Sequence, residues 1–196
     1  MNAPRIVLAS TSRYRADLLR RLLAHFEQVA PGVEEACLQD ESPGDRAQRL
    51  ARAKARAVAD GLGDAVVIGS DQVAELDGRV LGKPGDAASA RAQLMASSGR
   101  SVQFHTALCV IDTRTRPGTE RAFTDTTTAR FRKLGEAEIA RYIEREQPLD
   151  CAGSFKCEAL GISLFEAIVS HDPTALVGLP LIALARRLRD CGIEVP

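Results

Sequence analysis

Two short apolar runs, each followed at once by polar and ionisable residues, constrain this chain more than any other feature. Residues 5–9 lead into Ser-Thr-Ser-Arg-Tyr-Arg at 10–15, and residues 65–69 lead into Ser-Asp-Gln at 70–72. Such runs are typical of buried strands that end in turns. The first turn combines hydroxyls, free backbone N–H groups and arginines at a helix N-terminus, which suits a bound phosphate. Because the second turn adds a carboxylate that could manage water or a metal, the pattern suggests chemistry on a nucleotide.

Capping residues predict where several helices begin. Ser12 precedes a helix expected over residues 14–23, and Ser42 with Pro43 precedes one that stops near residue 61. The other helices are expected between Asp86 and residue 96, over 135–146 and over 180–191.

Turn and strand signals complete an α/β pattern. Asp77-Gly78 is a strong two-residue hairpin signal between residues 73–76 and 79–81. Further strands are expected at residues 102–112, 121–133 and 162–169. We therefore expect a single α/β domain over residues 1–196, in which helices flank a central sheet. The long hairpin-like strands favour a mixed sheet over an all-parallel one.

Composition and charge exclude several classes of protein. Of the 196 residues, 45% are apolar, and 26 basic residues balance 26 acidic ones. A net charge of zero argues against general binding to nucleic acid, because contact with many phosphates needs a basic surplus. The sequence has no apolar run of membrane-spanning length, and its first five residues lack the apolar segment of a signal peptide. Since five cysteines without a regular framework fit a reducing compartment, we expect a cytoplasmic protein.

Five short motifs, taken in order along the chain, resemble those of the Maf-like nucleotide pyrophosphatases. They are Ala9-Ser10-Thr11-Ser12-Arg13-Tyr14-Arg15, Glu34-Glu35, Lys54-Ala55, Ser70-Asp71-Gln72 and Gly82-Lys83-Pro84. The resemblance runs from Ile6 to about Ile193, with Arg13 standing where the family usually has proline. It implies a Maf/ITPase-like fold with an active-site cleft, and hydrolysis of a nucleoside triphosphate to the monophosphate and pyrophosphate.

The resemblance also implies which groups would hold the triphosphate. Arg15, Lys54 and Lys83 are the expected cations, with the arginine suited to bidentate contact and the lysines acting as point charges. Ser10 and Ser12, together with nearby backbone N–H groups, would complete the phosphate cradle.

A divalent cation, Mg²⁺ or Mn²⁺, is expected with the triphosphate. Glu35 and Asp71 are its candidate ligands, and of the adjacent Glu34 and Glu35 only Glu35 is expected to reach the site. The resemblance makes Asp71 the proton acceptor as well. An aspartate with its ordinary pKa near about 3.9 is a weak base at neutral pH. Asp71 therefore either has a raised pKa or mainly orients a metal-activated water.

Three features resemble the branch of the family that acts on 7-methyl-GTP: Tyr14, Gln72 and the segment 148–156. Methylation at N7 makes guanine cationic, and a cationic ring gains about 1–2 kcal/mol on a desolvated aromatic face. We expect Tyr14 to supply that face and Glu158 to accept hydrogen bonds from the guanine N1 and N2 groups. Gln72 is the third expected contact with the substrate.

Other functions remain open from the residues alone. The substrate could be dTTP, UTP or another modified nucleotide, or the chain could be a nucleotide-binding regulator of septum formation, with which the family is associated. Relatives suggest a homodimer. The three histidines predict no metal site or triad, and the absence of a Gly-x-Gly-x-x-Gly or P-loop pattern disfavours a dinucleotide oxidoreductase or a kinase.

Overall fold

The computed structural model describes residues 4–115 and 118–195, so the first three residues of the N-terminal stretch lie outside it. Within these ranges the strands are β1 Arg5–Ala9, β2 Glu27–Val29, β3 Ala65–Leu76, β4 Arg79–Leu81, β5 Ser101–Asp112, β6 Thr119–Phe131 and β7 Phe165–Val169. The helices there are α1 Arg13–Leu19, α2 Pro43–Ala59, α3 Ala87–Ser97, α4 Glu136–Glu146 and α5 Leu181–Asp190. Short 3₁₀ turns cover Ala152–Ser154, Leu160–Leu164 and Ala175–Val177.

The described strands form one mixed sheet, which confirms the predicted fold class. Its order is β2-β1-β3-β5-β6-β7, and β4 pairs with β3 outside this path. The first two pairings, β1 with β2 and β1 with β3, are parallel. All others are antiparallel. Antiparallel pairing joins the longest strands, since β3, β5 and β6 lie side by side.

The predicted capping and turn residues act as expected. Ser42 Oγ accepts from Asp45 N at 3.1 Å, and Asp86 Oδ1 accepts from Ser89 N at 2.8 Å. At the β3–β4 hairpin, Asp77 has φ +49° and Gly78 has φ +78°, the left-handed backbone that a tight two-residue turn requires.

The predicted turn after residue 69 is wrong, because β3 continues to Leu76. The strand pairs with β5 from Val66 to Glu75, and Asp71 lies opposite Ala107. Polar side chains can lie inside this strand because they form hydrogen bonds there. Ser70 Oγ, for example, lies 2.8 Å from Ala107 O and donates to it. Asp71 is therefore held by a central strand of the sheet.

Several other elements differ from the prediction, and β6, expected over 121–133, covers Thr119–Phe131. Helix α1 ends at Leu19, and the following residues form turns instead of reaching residue 23. The last strand begins at Phe165, because Leu160–Leu164 forms a 3₁₀ turn. The three-residue edge strand β2 was not predicted, since its exposed residues carry no apolar pattern.

Alternating side chains of β3 pack into apolar clusters on opposite faces of the sheet. Val67 packs with Ala47, Ala51 and Ala55 of α2. Ile68 packs with residues of α1 and α5 on the other face. A further cluster joins α3 and α4 to the start of β5 and the end of β6. Among the described helices, none is long and apolar enough to cross a membrane.

Candidate active site

A cleft of about 470 Å³ lies beside the end of β1 and the middle of β3. Every residue predicted for the site lines it except Asp71. The lining residues from that prediction are Ser10, Ser12, Tyr14, Arg15, Glu35, Lys54, Gln72, Lys83 and Glu158. Asp71 contacts Lys54 from within the sheet, so the scattered motifs of the sequence meet at one place. Glu34 does not line the cleft, in line with the preference for Glu35.

Lys54 joins the two predicted metal-binding carboxylates. Its Nζ lies 2.6 Å from Asp71 Oδ1 and 2.6 Å from Glu35 Oε1. The residues Lys54 and Asp71 are each only 6% exposed, whereas the Glu35 side chain is 55% exposed. A buried ammonium group therefore lies between one buried and one solvated carboxylate.

The close packing of α2 on β3 places Lys54 beside Asp71. A Cβ atom at Gly69 would lie 2.4 Å from Ala51 O and 2.7 Å from Ala55 N, so only glycine permits this approach. Small residues on the inner face of the helix, Ala47, Ala51 and Ala55, bring its backbone down onto the strand. Lys54, on the same helix, thereby reaches the carboxylate within the sheet.

Arg15 is anchored by the loop before α5. Its Nε donates to Gly178 O at 2.9 Å, and one of its terminal nitrogens donates to Ser10 Oγ at 3.4 Å. Ser70 Oγ lies 2.9 Å from Gly178 O and shares its one proton between this oxygen and Ala107 O. Gly178 has φ +124°, a conformation that favours glycine. The loop thus holds the arginine, and Ser70 of β3 in turn contacts the loop.

The charges at this end of the cleft act on one another. Burial lowers the pKa of the Arg15 guanidinium, while Asp71 and Glu35 oppose that shift. Burial acts to raise the pKa of Glu35, but the hydrogen bond and charge of Lys54, with the charges of Lys83 and Arg15, outweigh it and lower that pKa. Glu35 is therefore ionised over a wider pH range than a free glutamate.

Tyr14 lies at another part of the cleft with Arg13, Asp150 and Cys151. Burial raises the pKa of the Tyr14 phenol, and the hydrogen bond from Arg13 opposes that shift. Burial likewise raises the pKa of the Cys151 and Cys157 thiols to about 12. Since a thiol with such a pKa stays protonated at neutral pH, neither cysteine has the properties of a nucleophile.

Gln72 uses its amide nitrogen within the protein. Its Nε2 lies 3.0 Å from each of three acceptors, Thr106 Oγ1, Ala175 O and Leu176 O, which share its two N–H donors. These bonds hold the 3₁₀ turn Ala175–Val177 against β3. A bound substrate could therefore meet only the amide oxygen of Gln72, which narrows its predicted role to accepting a hydrogen bond.

Aromatic packing and a lysine contact are among the interactions that hold the segment carrying Glu158. Phe155 packs edge-on against Phe104, with ring centroids 5.1 Å apart, and against Phe165 at 4.9 Å. Lys156 Nζ donates to Glu146 O at 2.8 Å, at the end of α4. Glu158 itself is exposed and lines the cleft, so a fixed framework presents a solvated carboxylate.

The carboxylates at Lys54 fit a divalent cation that arrives with phosphate. Among residues 4–115 and 118–195, no group of three or more His, Cys, Asp or Glu could hold a metal ion by itself. Mg²⁺, however, is usually held by one or two carboxylates together with substrate phosphates and water. Glu35 and Asp71 supply that number of carboxylates beside the predicted phosphate cations.

Comparison with known proteins decides the family. Residues 5–191 match the family described as Maf-like protein. The chain belongs to the Maf-like family. This confirms the resemblance of the motifs.

Two Maf-like relatives match over nearly the full length of both chains. A protein of Xanthomonas oryzae pv. oryzae (strain MAFF 311018), named 7-methyl-GTP pyrophosphatase, is 58% identical over 98% of this chain and 100% of its own. A protein of the same name from Aromatoleum aromaticum is 53% identical over 100% of both chains. Among solved structures, that of the Staphylococcus aureus Ham1 protein aligns with a TM-score of 0.45 and 17% identity, over 65% of this chain and 71% of that one.

Two of the residues that sequence reasoning missed bear directly on the cleft of this Maf-like chain. Gly178 accepts hydrogen bonds from both Arg15 and Ser70, yet it lies in a loop with no motif. Arg13 lines the cleft, although the sequence marked it only as a departure from the family's proline and predicted no role for it in the site. A cation next to an aromatic residue at a helix start was the available signal for Arg13.

Proposed function

We propose that this chain hydrolyses 7-methyl-GTP to 7-methyl-GMP and pyrophosphate, and so keeps the modified nucleotide out of nucleic acids. The observation that carries the proposal is the shared cleft, in which Lys54 contacts Asp71 and Glu35 while Arg15 and Lys83 line the same walls. Full-length relatives named for this activity support it.

The cations of the cleft stabilise the charge of the reaction. Hydrolysis at the α-phosphorus leaves pyrophosphate, on which negative charge accumulates, and enzymes promote such steps mainly by positioning and electrostatics. Arg15 is held by Gly178 O and presents its remaining N–H groups to phosphate oxygens. Lys83 lies in an exposed loop that lines the same cleft and adds a point charge there.

Asp71 acts on the attacking water, either by accepting its proton or by orienting it. Its carboxylate is placed by β3 and bonded through Oδ1 to Lys54. Glu35 and Asp71 would hold a divalent cation, Mg²⁺ or Mn²⁺, which when bound neutralises phosphate charge and makes water more acidic. Lys54 balances the charge of the two carboxylates.

Tyr14 and Glu158 select the base. A cationic 7-methylguanine stacks on the Tyr14 ring, and its N1 and N2 groups donate to Glu158. A neutral pyrimidine has neither the charge nor the donors. We further propose, on the family resemblance, that the chain is a single-domain cytoplasmic enzyme that acts as a homodimer.

The test is a panel of normal and modified nucleoside triphosphates with Mg²⁺ or Mn²⁺, scored by release of pyrophosphate. We expect turnover that is fastest on 7-methyl-GTP, that stops on chelation and that Asp71→Asn lowers by about a hundredfold or more. Asp60→Asn, at the exposed end of α2, is the matched control. Preference for dTTP or UTP would move the chain to the other substrate class. Tight binding without turnover would favour the regulator.

A further inference from the structure

Gln93 of α3 forms hydrogen bonds with two segments that line the cleft, although it does not line the cleft itself. Its Nε2 donates to Gly82 O, the residue before Lys83, at 3.1 Å. Its Oε1 accepts from Ser154 Oγ at 2.6 Å. A single side-chain amide therefore connects the Lys83 loop to the segment 150–158.

The chemistry of the two partners determines the orientation of this amide. A backbone carbonyl can only accept, so the NH₂ group must face Gly82. The Ser154 hydroxyl then donates to the amide oxygen. Both ends of the Gln93 side chain are thus used, and a carboxylate in its place could accept from Ser154 but could not donate to Gly82.

Ser154 has few alternative positions. It is completely buried and has φ +63°, a left-handed backbone conformation that is unfavourable for a residue other than glycine. Next to it, Gly153 has φ +76°, and a Cβ atom there would lie 3.2 Å from the Phe104 ring. The bond to Gln93 therefore supports a backbone conformation that the local sequence alone does not favour.

A second contact joins the Lys83 loop to the residue just before the segment 150–158. Gly85 N donates to Leu149 O at 3.0 Å, two residues beyond Lys83. Together with the Gln93 bonds, this contact makes the Lys83 loop and the segment that carries Glu158 one connected unit.

We propose that Gln93 is a positioning residue that keeps Lys83 at a set distance from the base-binding segment. This inference rests on the proposed function, in which Lys83 meets the triphosphate and Glu158 meets the base. A nucleotide engages both segments at once, whereas inorganic tripolyphosphate engages only the phosphate end. Loss of Gln93 should therefore weaken nucleotide binding more than tripolyphosphate binding.

Four variants separate the contacts. Gln93→Met removes both hydrogen bonds, Gln93→Glu removes the donor to Gly82, and Ser154→Ala removes the donor to Gln93. Gln103→Met, at an exposed position of β5, is the matched control. Should Gln93→Met fail to fold, the two single-bond variants carry the test.

The first measurement is hydrogen exchange at the Gly85 amide in the free protein. We expect exchange about threefold or more faster in the Gln93 variants, because local opening exposes this amide, and no change in Gln103→Met. Unchanged exchange at Gly85 would overturn the proposal, whatever the protein's activity.

The second measurement is calorimetric binding without divalent metal, so that turnover does not interfere. We expect Gln93→Met to raise the Kd for 7-methyl-GTP about tenfold, the effect of losing one or two hydrogen bonds. The Kd for tripolyphosphate should not change. In the active enzyme, KM should rise more than kcat falls. The proposal would be overturned if the two Kd values rose equally or if neither rose.

These measurements distinguish the two proposals. If the wild-type protein binds 7-methyl-GTP without hydrolysing it, the proposed function fails, and Gly85 exchange and the two binding constants still decide the role of Gln93. If the wild-type protein binds tripolyphosphate but no nucleotide, the proposed positioning role of Gln93 is refuted as well.

Discussion

The guanidinium carbon of Arg13 lies 4.8 Å from the centroid of the Tyr14 ring. Its NH2 group also donates to the Tyr14 hydroxyl at 2.9 Å. A planar cation thus already rests on this aromatic ring in the free protein. A 7-methylated guanine is also a planar cation, so the ring is suited to the base that we propose.

Replacing Tyr14 with alanine should therefore impair the methylated substrate selectively. We expect kcat/KM for 7-methyl-GTP to fall about 5- to 30-fold, the equivalent of a lost cation–π contact, with a much smaller change for UTP. Tyr14→Phe keeps the ring and should retain the preference. Steady-state kinetics on both nucleotides check this, and equal losses on the two would remove the stacking role.

Glu158→Gln should narrow the preference for 7-methyl-GTP over UTP. The amide keeps the size of the side chain but loses the negative charge, and hydrogen bonds to charged groups are roughly twice as strong as neutral ones. We expect the ratio of the two kcat/KM values to fall about fivefold or more. Glu166→Gln, on the exposed face of β7, is the control. An unchanged ratio would exclude Glu158 from base selection.

Lys54 and Asp71 should differ in their effects on stability. Lys54→Met leaves Asp71 buried without its cation, which typically costs about 3–5 kcal/mol. Asp71→Asn leaves Lys54 in contact with Glu35, so the loss should be smaller. The same Asp71→Asn variant should lower kcat about 10²- to 10⁴-fold. Urea unfolding and pyrophosphate release measure the two effects, and a larger stability loss in Asp71→Asn would contradict this account of the charges.

The pH dependence of stability should report Glu35. Because its folded-state pKa lies below the ordinary 4.5, ionised Glu35 stabilises the fold above that pH, and this contribution disappears as the pH falls through the lowered value. The difference in Tm between wild type and Glu35→Gln should therefore shrink below pH 4.5. Glu34→Gln, at the neighbouring acid, should show a smaller difference. Plots of Tm against pH that stay parallel for wild type and Glu35→Gln down to low pH would contradict the lowered pKa.

Local chemistry was sufficient to predict much of this fold. Asp77-Gly78 predicted its hairpin because few residues other than glycine, asparagine and aspartate accept a left-handed backbone. Ser42 and Asp86 predicted helix starts because their side chains accept hydrogen bonds from free N–H groups nearby. These signals depend on residues within a few positions of one another.

The length of β3 could not be predicted in this way. In the sequence, Ser70 and Asp71 resemble the start of a turn. They can lie inside a strand because other parts of the fold supply their partners, Gly178 for Ser70 and Lys54 for Asp71. For the site, the motifs predicted residues that the fold brings together. The roles of Gln72 and Gly178 in holding the loop before α5 depend on hydrogen bonds across more than 100 residues.

The missing side chain at Gly69 has a consequence for how this cleft can evolve. Because the backbone of α2 rests directly on β3 there, the gap between ammonium and carboxylate is set by two main chains in contact. Substitutions elsewhere in the core can alter side-chain packing without changing that gap. Residues that line the base-binding part of the cleft can thus change while the contact between Lys54 and Asp71 stays the same.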